Sequence, residues 1–72
     1  PDDSVAYYLK SACLCELERY EEALSSVEYS ILLNPTFADA HYVKSEILER
    51  LSRYDEAKQA YTRACELGYT DD

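Results

Sequence analysis

Apolar residues recur along the chain at the spacing of an amphipathic helix, in runs separated by short polar breaks. Ala6, Cys13, Leu14 and Leu17 share one helical pattern, which resumes at Ala23, Leu24, Val27, Ile31 and Leu33. The breaks at Glu18–Arg19 and Ser52–Arg53 leave room only for antiparallel helical hairpins. The spacing predicts helices near 4–17, 20–33, 38–51 and 54–67. Local signals agree with these ends. Glu21–Glu22 and Asp55–Glu56 place negative charge at the positive end of the second and fourth helices. Ser52 with Asp55 suits a helix start. Asn34–Pro35 stops the second helix, Thr36 is positioned to cap the third, and Asp39 falls in its first turn. Gly68 can close the fourth helix in a left-handed conformation.

The pattern also repeats. A shift of 34 residues aligns Ser4–Phe37 with Ala38–Asp71 without a gap. Identical pairs include Ala6/Ala40, Tyr8/Tyr42, Lys10/Lys44, Ser11/Ser45, Leu14/Leu48, Leu17/Leu51, Arg19/Arg53, Tyr20/Tyr54, Glu22/Glu56 and Ala23/Ala57. Leu33/Leu67 and Thr36/Thr70 complete the set. One hairpin cannot cover its own apolar face, so a second stacked on it is the physical purpose of such a duplication.

Arg19–Leu24 (R-Y-E-E-A-L) and Arg53–Lys58 (R-Y-D-E-A-K) resemble the signature of the tetratricopeptide repeat at the start of its second helix. Tyr20 and Tyr54 stand at its aromatic position, Ala23 and Ala57 at its small one, and Leu32–Pro35 (L-L-N-P) resembles its ending. The resemblance implies an all-α fold of two stacked antiparallel helix–turn–helix hairpins, a fragment of a right-handed α-solenoid. It makes residues 1–72 one domain, with unit one at 4–37 and unit two at 38–71. Because such arrays usually hold three units or more, the expectation is a piece of a longer array or a chain that self-associates. Departures from the family pattern are Ser11 and Ser45 at a Gly or Ala position, and Lys10 and Lys44 at a commonly Leu position. Those lysines must reach water along their aliphatic stems. Tyr69 stands where the first unit ends in proline, and Cys65 where it has Ile31.

Composition narrows the classes. The chain has 72 residues, 47% of them apolar and 31% charged, with one Gly and two Pro, which favours helices over tight β-turns. A net charge of −8 argues against a nucleic-acid partner, and the absence of a long apolar stretch argues against a membrane partner. Neither a leader segment nor a complete metal-ligand set is apparent. Cys13, Cys15 and Cys65 are odd in number, and two residues apart on a helix the first two diverge, so reduced thiols in an intracellular, cytoplasmic setting are expected. His41 near Asp39 is no catalytic dyad by spacing, and no phosphate loop or activated nucleophile is present. Neither enzyme activity nor a cofactor is expected.

The resemblance implies protein–protein interaction, with a peptide or partner helix lying along a concave groove lined by the first helix of each unit. By family position the groove residues are Val5, Tyr8, Ala12 and Cys15 in unit one, and Asp39, Tyr42, Glu46 and Glu49 in unit two. The first set is mildly apolar and the second acidic, which suits a basic or neutral peptide. Two plainer roles compete: Tyr8 and Tyr42 packing between helices, and Glu46/Arg50 and Glu49/Arg53 forming ion pairs on a solvated face. The family subset that clamps the C-terminal carboxylate of chaperones uses Asn, Lys and Arg at positions that carry Leu9, Asp39 and Val43 here, which excludes that task. The competing function is a structural scaffold, self-associating through hairpin ends that expose Ala6 and Leu9 on one side and Cys65, Leu67 and Tyr69 on the other.

Overall fold

A computed structural model describes residues 3–70; the final position of the second 34-residue unit, Asp71, lies outside them. Four helices follow one another: α1 (Asp3–Glu16), α2 (Tyr20–Leu33), α3 (Ala38–Arg50) and α4 (Tyr54–Glu66). The expected helices are all present, and three of the four end one residue earlier than periodicity indicated. Leu17, Leu51 and Leu67 carry the apolar pattern past the last helical turn, where each begins the turn that follows.

The turns share one construction. After α1 the chain passes through Glu18 at φ 60°, after α3 through Ser52 at φ 62°, and after α4 through Gly68 at φ 104°. In each, the next amide reaches back to a helix carbonyl: Arg19 to Leu14 at 2.9 Å, Arg53 to Leu48 at 2.9 Å, and Tyr69 to Ala64 at 3.0 Å. These bonds satisfy carbonyls that the helix end leaves open. Ser52 therefore terminates α3 instead of opening α4. The residue that opens α4 is Arg53, which lacks a side-chain cap; its guanidinium instead grips Glu56 through two bonds of 2.8 Å. Arg19 repeats the arrangement with Glu22 at 2.6 and 3.0 Å. Thr36 does not cap α3 either. Phe37 takes the boundary position without a side-chain cap, and the Thr36 hydroxyl donates to the Asn34 amide oxygen at 3.2 Å. Asn34 to Phe37 form a turn closed by a 3.1 Å bond, with Pro35 at the position its fixed φ favours.

α1 packs on α2 and α3 on α4, giving two antiparallel hairpins, and α3 also lies against α2 and, less extensively, α1. The core runs through Ala23, Leu24, Val27, Ala40, Val43, Ile47, Leu48, Ala57 and Ala60. Small residues dominate where helices approach: Ala23, Ala40 and Ala64 are fully buried, a consequence of close backbone approach. The serines of α1 and α3 are buried without leaving a hydroxyl unsatisfied. Ser11 and Ser45 each donate to the carbonyl three residues earlier at 2.6 Å. Ser30 donates to the Ser4 carbonyl at 2.7 Å, tying the end of α2 to the start of α1. Lys44 is half-buried along its stem, with its ammonium 3.6 Å from Glu28, so the lysine position extends to solvent as expected.

Candidate protein-binding surface

The helical stripe chosen for the groove has one half on each hairpin, and α1·α3 contact brings the halves together. On α1, Tyr8, Ala12 and Cys15 are half-buried and Val5 is exposed. On α3, Asp39, Glu46 and Glu49 are exposed and Tyr42 is half-buried. Tyr8 packs on Phe37, with ring centroids 5.0 Å apart. Burial pushes its phenol above the ordinary range, and the nearby charges of Asp39 and Glu46 push the same way. Cys15 responds similarly: burial raises its thiol, Glu46 adds to the rise and Arg50 opposes it. Glu46 is therefore felt by one aromatic and one thiol on the opposite hairpin. Val5, on the first turns of α1, is in none of these interactions.

Tyr42 is the most connected aromatic. It stacks on Tyr69 at 4.2 Å with planes 14° apart, and tilts against Tyr61 at 6.1 Å. Its phenol is pushed well above the usual range, first by a hydrogen bond with the Tyr69 hydroxyl and then by one with the Glu46 carboxylate. The two stripe tyrosines both pack between segments: each holds a neighbouring ring while its hydroxyl end stays near carboxylates. The proposed surface ion pairs fare differently. Arg53 lies beyond the end of α3 and pairs with Glu56, not Glu49.

Beside Tyr42 the surface opens into a cleft of about 600 Å³ between α3 and α4, lined by Tyr42, Ser45, Glu46, Glu49, Tyr54, Ala57, Lys58, Tyr61 and Tyr69. Tyr54, Lys58, Tyr61 and Tyr69 were not among the residues the family position selects. A signal for them was present in the repeat itself. Shifted back by 34 residues they become Tyr20, Leu24, Val27 and Pro35, and three of these border the place where α3 docks on hairpin one. Tyr69 also changes the account of the hairpin ends. It and Leu67 are half-buried, so only Cys65 of that trio is exposed, whereas Ala6 and Leu9 are exposed as expected.

The remaining chemistry is sparse. His41 donates from Nε2 to the Pro35 carbonyl at 2.9 Å, which fastens the turn before α3. Among the described residues, no group of three or more His, Cys, Asp or Glu is arranged to hold a metal ion, and no helix is long and apolar enough to cross a membrane. Cys13, Cys15 and Cys65 are free thiols.

Residues 38–71 match the family described as Tetratricopeptide repeat, so the match falls on α3, α4 and the turn after them. Only this one unit is matched. No curated protein matches the chain.

Proposed function

Residues 38–71 match the tetratricopeptide repeat family, and on that premise we propose that the chain is a non-catalytic binding module of this family that takes a basic or neutral peptide along the stripe formed by α1 and α3. Repeats of this family are in general protein–protein interaction modules. Residues 4–37 then form a diverged first unit, a reading supported by the gapless 34-residue shift and by the matching left-handed turns at Glu18 and Ser52. The observation that carries the proposal is the position of Glu46. Its carboxylate influences Tyr8 and Cys15 on one hairpin and bonds Tyr42 on its own, so a cation placed there meets both hairpins at once.

A carboxylate clamp of the chaperone-tail type does not suit these residues. Val43 is buried in the core and Leu9 projects from the outer side of α1, while Asp39 would repel a C-terminal carboxylate. Three free cysteines suit a reducing compartment.

The test compares a fluorescein-labelled lysine-rich peptide with a glutamate-rich one by anisotropy, on the parent and on the Glu46→Lys, Glu49→Lys double variant. Preference for the basic peptide, lost in the double variant without a lower melting temperature and weakened by added salt, is the expected result. Equal affinity of the parent and the double variant for the basic peptide removes the acidic stripe from recognition.

A further inference from the structure

We propose that the furrow between α1 and α3 reads a partner peptide carrying a basic and an acidic side chain two residues apart, the basic one set between Glu16 and Glu46 and the acidic one on Arg50. This rests on the peptide-binding reading above and names the charge pattern of the bound segment.

The place is a small cleft of about 180 Å³ lined by Cys15, Glu16, Tyr20, Glu46, Ile47 and Arg50. These residues come from α1, α2 and α3, so both hairpins build it and its walls are complete within the chain. Cys15 and Tyr20 pack against the core there, and Ile47 belongs to it. Glu16, Glu46 and Arg50 stand exposed around this apolar floor.

Arg50 sets the cleft apart from the rest of the acidic stripe. Elsewhere cations hold carboxylates: Arg19 with Glu22, Lys44 with Glu28, Arg53 with Glu56 and Arg63 with Glu66. Arg50 forms no ion pair among the described residues, although Glu46 stands one turn back on the same helix. Glu46 bonds Tyr42 instead. Two opposite charges therefore lie side by side without neutralising one another directly. Both are felt across the furrow at Cys15, whose thiol Glu46 raises and Arg50 lowers. Shifted back by 34 residues, Glu46 and Arg50 become Ala12 and Glu16, so unit one offers no such pair.

Spacing then selects the ligand. Residues four apart on an α-helix are separated by about 6 Å along its axis. In an extended peptide, side chains two residues apart share a face and stand about 6.5–7 Å apart. A peptide lying along the furrow thus meets Glu46 and Arg50 with alternate residues. Charges on adjacent residues point to opposite faces, and only one of them can engage. A lysine has Cys15 and Tyr20 for its aliphatic stem while its ammonium meets Glu16 and Glu46. A purely basic peptide sets a cation against Arg50, a repulsion that an alternating one avoids.

The test uses fluorescein-labelled peptides and anisotropy on the full chain. One repeats Lys-Ser-Glu-Ser, so that both charges share a face. Its isomer repeats Lys-Glu-Ser-Ser, with the same composition and the charges adjacent, and a purely basic peptide repeats Lys-Ser-Lys-Ser. The parent should bind the alternating peptide about three- to fivefold more tightly than its isomer. Arg50→Gln should erase that difference, and Arg50→Glu should make the purely basic peptide the tightest. Circular dichroism verifies that each variant keeps its helices. The proposal is overturned by equal affinity of the parent for the two isomers, by an unchanged ranking in Arg50→Glu, or by absence of saturation with any of the peptides up to about 1 mM. Preference for the lysine-rich over the glutamate-rich peptide is measured alongside. Retained while the isomers bind equally, it leaves the peptide-binding reading in place and removes only the charge pattern.

Discussion

Tyr69 lies flat on Tyr42, ring centroids 4.2 Å apart and planes 14° from parallel, while Phe37 packs on Tyr8 at 5.0 Å in the hairpin before. In both hairpins the segment leaving the second helix returns an aromatic ring to the tyrosine of the first. Two different exit sequences, Asn34–Phe37 and Gly68–Thr70, thus cover the same helix position with an aromatic ring. Tyr69 is in this sense a structural part of the surface around Tyr42 and not a loose end.

Removing that hydroxyl should be visible in alkali. Tyr42 is held neutral first by its bond with Tyr69, so its pKa in the folded chain exceeds the ordinary 10.0. A raised phenol contributes stability that is complete below the unfolded pKa and is lost as pH rises through the folded one. The melting temperature should therefore fall above about pH 10 as the unfolded chain ionises first. Tyr69→Phe should lower the titration midpoint of Tyr42 in ultraviolet difference spectra, and should lower the melting temperature near pH 7 slightly, the gap to the parent closing as pH rises through the folded pKa. Tyr69→Ala should additionally remove the stack, worth roughly 0.5–1.5 kcal/mol.

The junction between hairpins should be more sensitive than its exposed copy. Ile47 is fully buried, and Ile47→Ala should cost about 2–5 kcal/mol in denaturant unfolding. In a domain this small that is a large share of the total. Leu9 is 55% exposed on the equivalent stripe of α1, and Leu9→Ala should stay within about 0.5 kcal/mol of the parent. Similar losses in both would mean that α1 is covered in solution.

The left-handed turns offer a gain. Ser52 at φ 62° and Glu18 at φ 60° carry side chains where glycine is favoured. Ser52→Gly should raise stability by roughly 0.5–1 kcal/mol, as read by chemical denaturation. Gly68→Ala should lower it by about 1 kcal/mol, from backbone conformation alone, because open space surrounds the position where the new methyl would stand.

Thiol accessibility should distinguish the cysteines. Cys15 is half-buried and its thiol is raised by burial and then by Glu46, while Cys13 and Cys65 are exposed. Iodoacetamide followed by peptide mass mapping should therefore modify Cys15 last. Glu46→Gln should speed its reaction, since removing the carboxylate lowers the thiol pKa toward the ordinary value and increases the thiolate fraction. No change in that variant would separate Glu46 from Cys15.

Local patterning was enough to define the helices, because helical periodicity and turn chemistry act within a few residues. The 34-residue shift, the hairpin breaks and the acidic first turns were all legible. Capping was less so. Ser52 and Thr36 have the residue types of helix starts, yet the chain direction after α3 makes Ser52 a left-handed terminator, and Asn34 engages the Thr36 hydroxyl. What the sequence by itself determined is that four amphipathic helices form two like hairpins. Only the tertiary structure decided which of two chemically similar stripes is covered. Ala6, Leu9 and Cys13 resemble Ala40, Val43 and Ile47 in composition, but burial depends on whether another hairpin lies opposite. For the same reason the cleft lined by Tyr42, Tyr61 and Tyr69 emerged only when α3, α4 and the returning C-terminal segment were set together: its residues are distant in sequence and meet through packing.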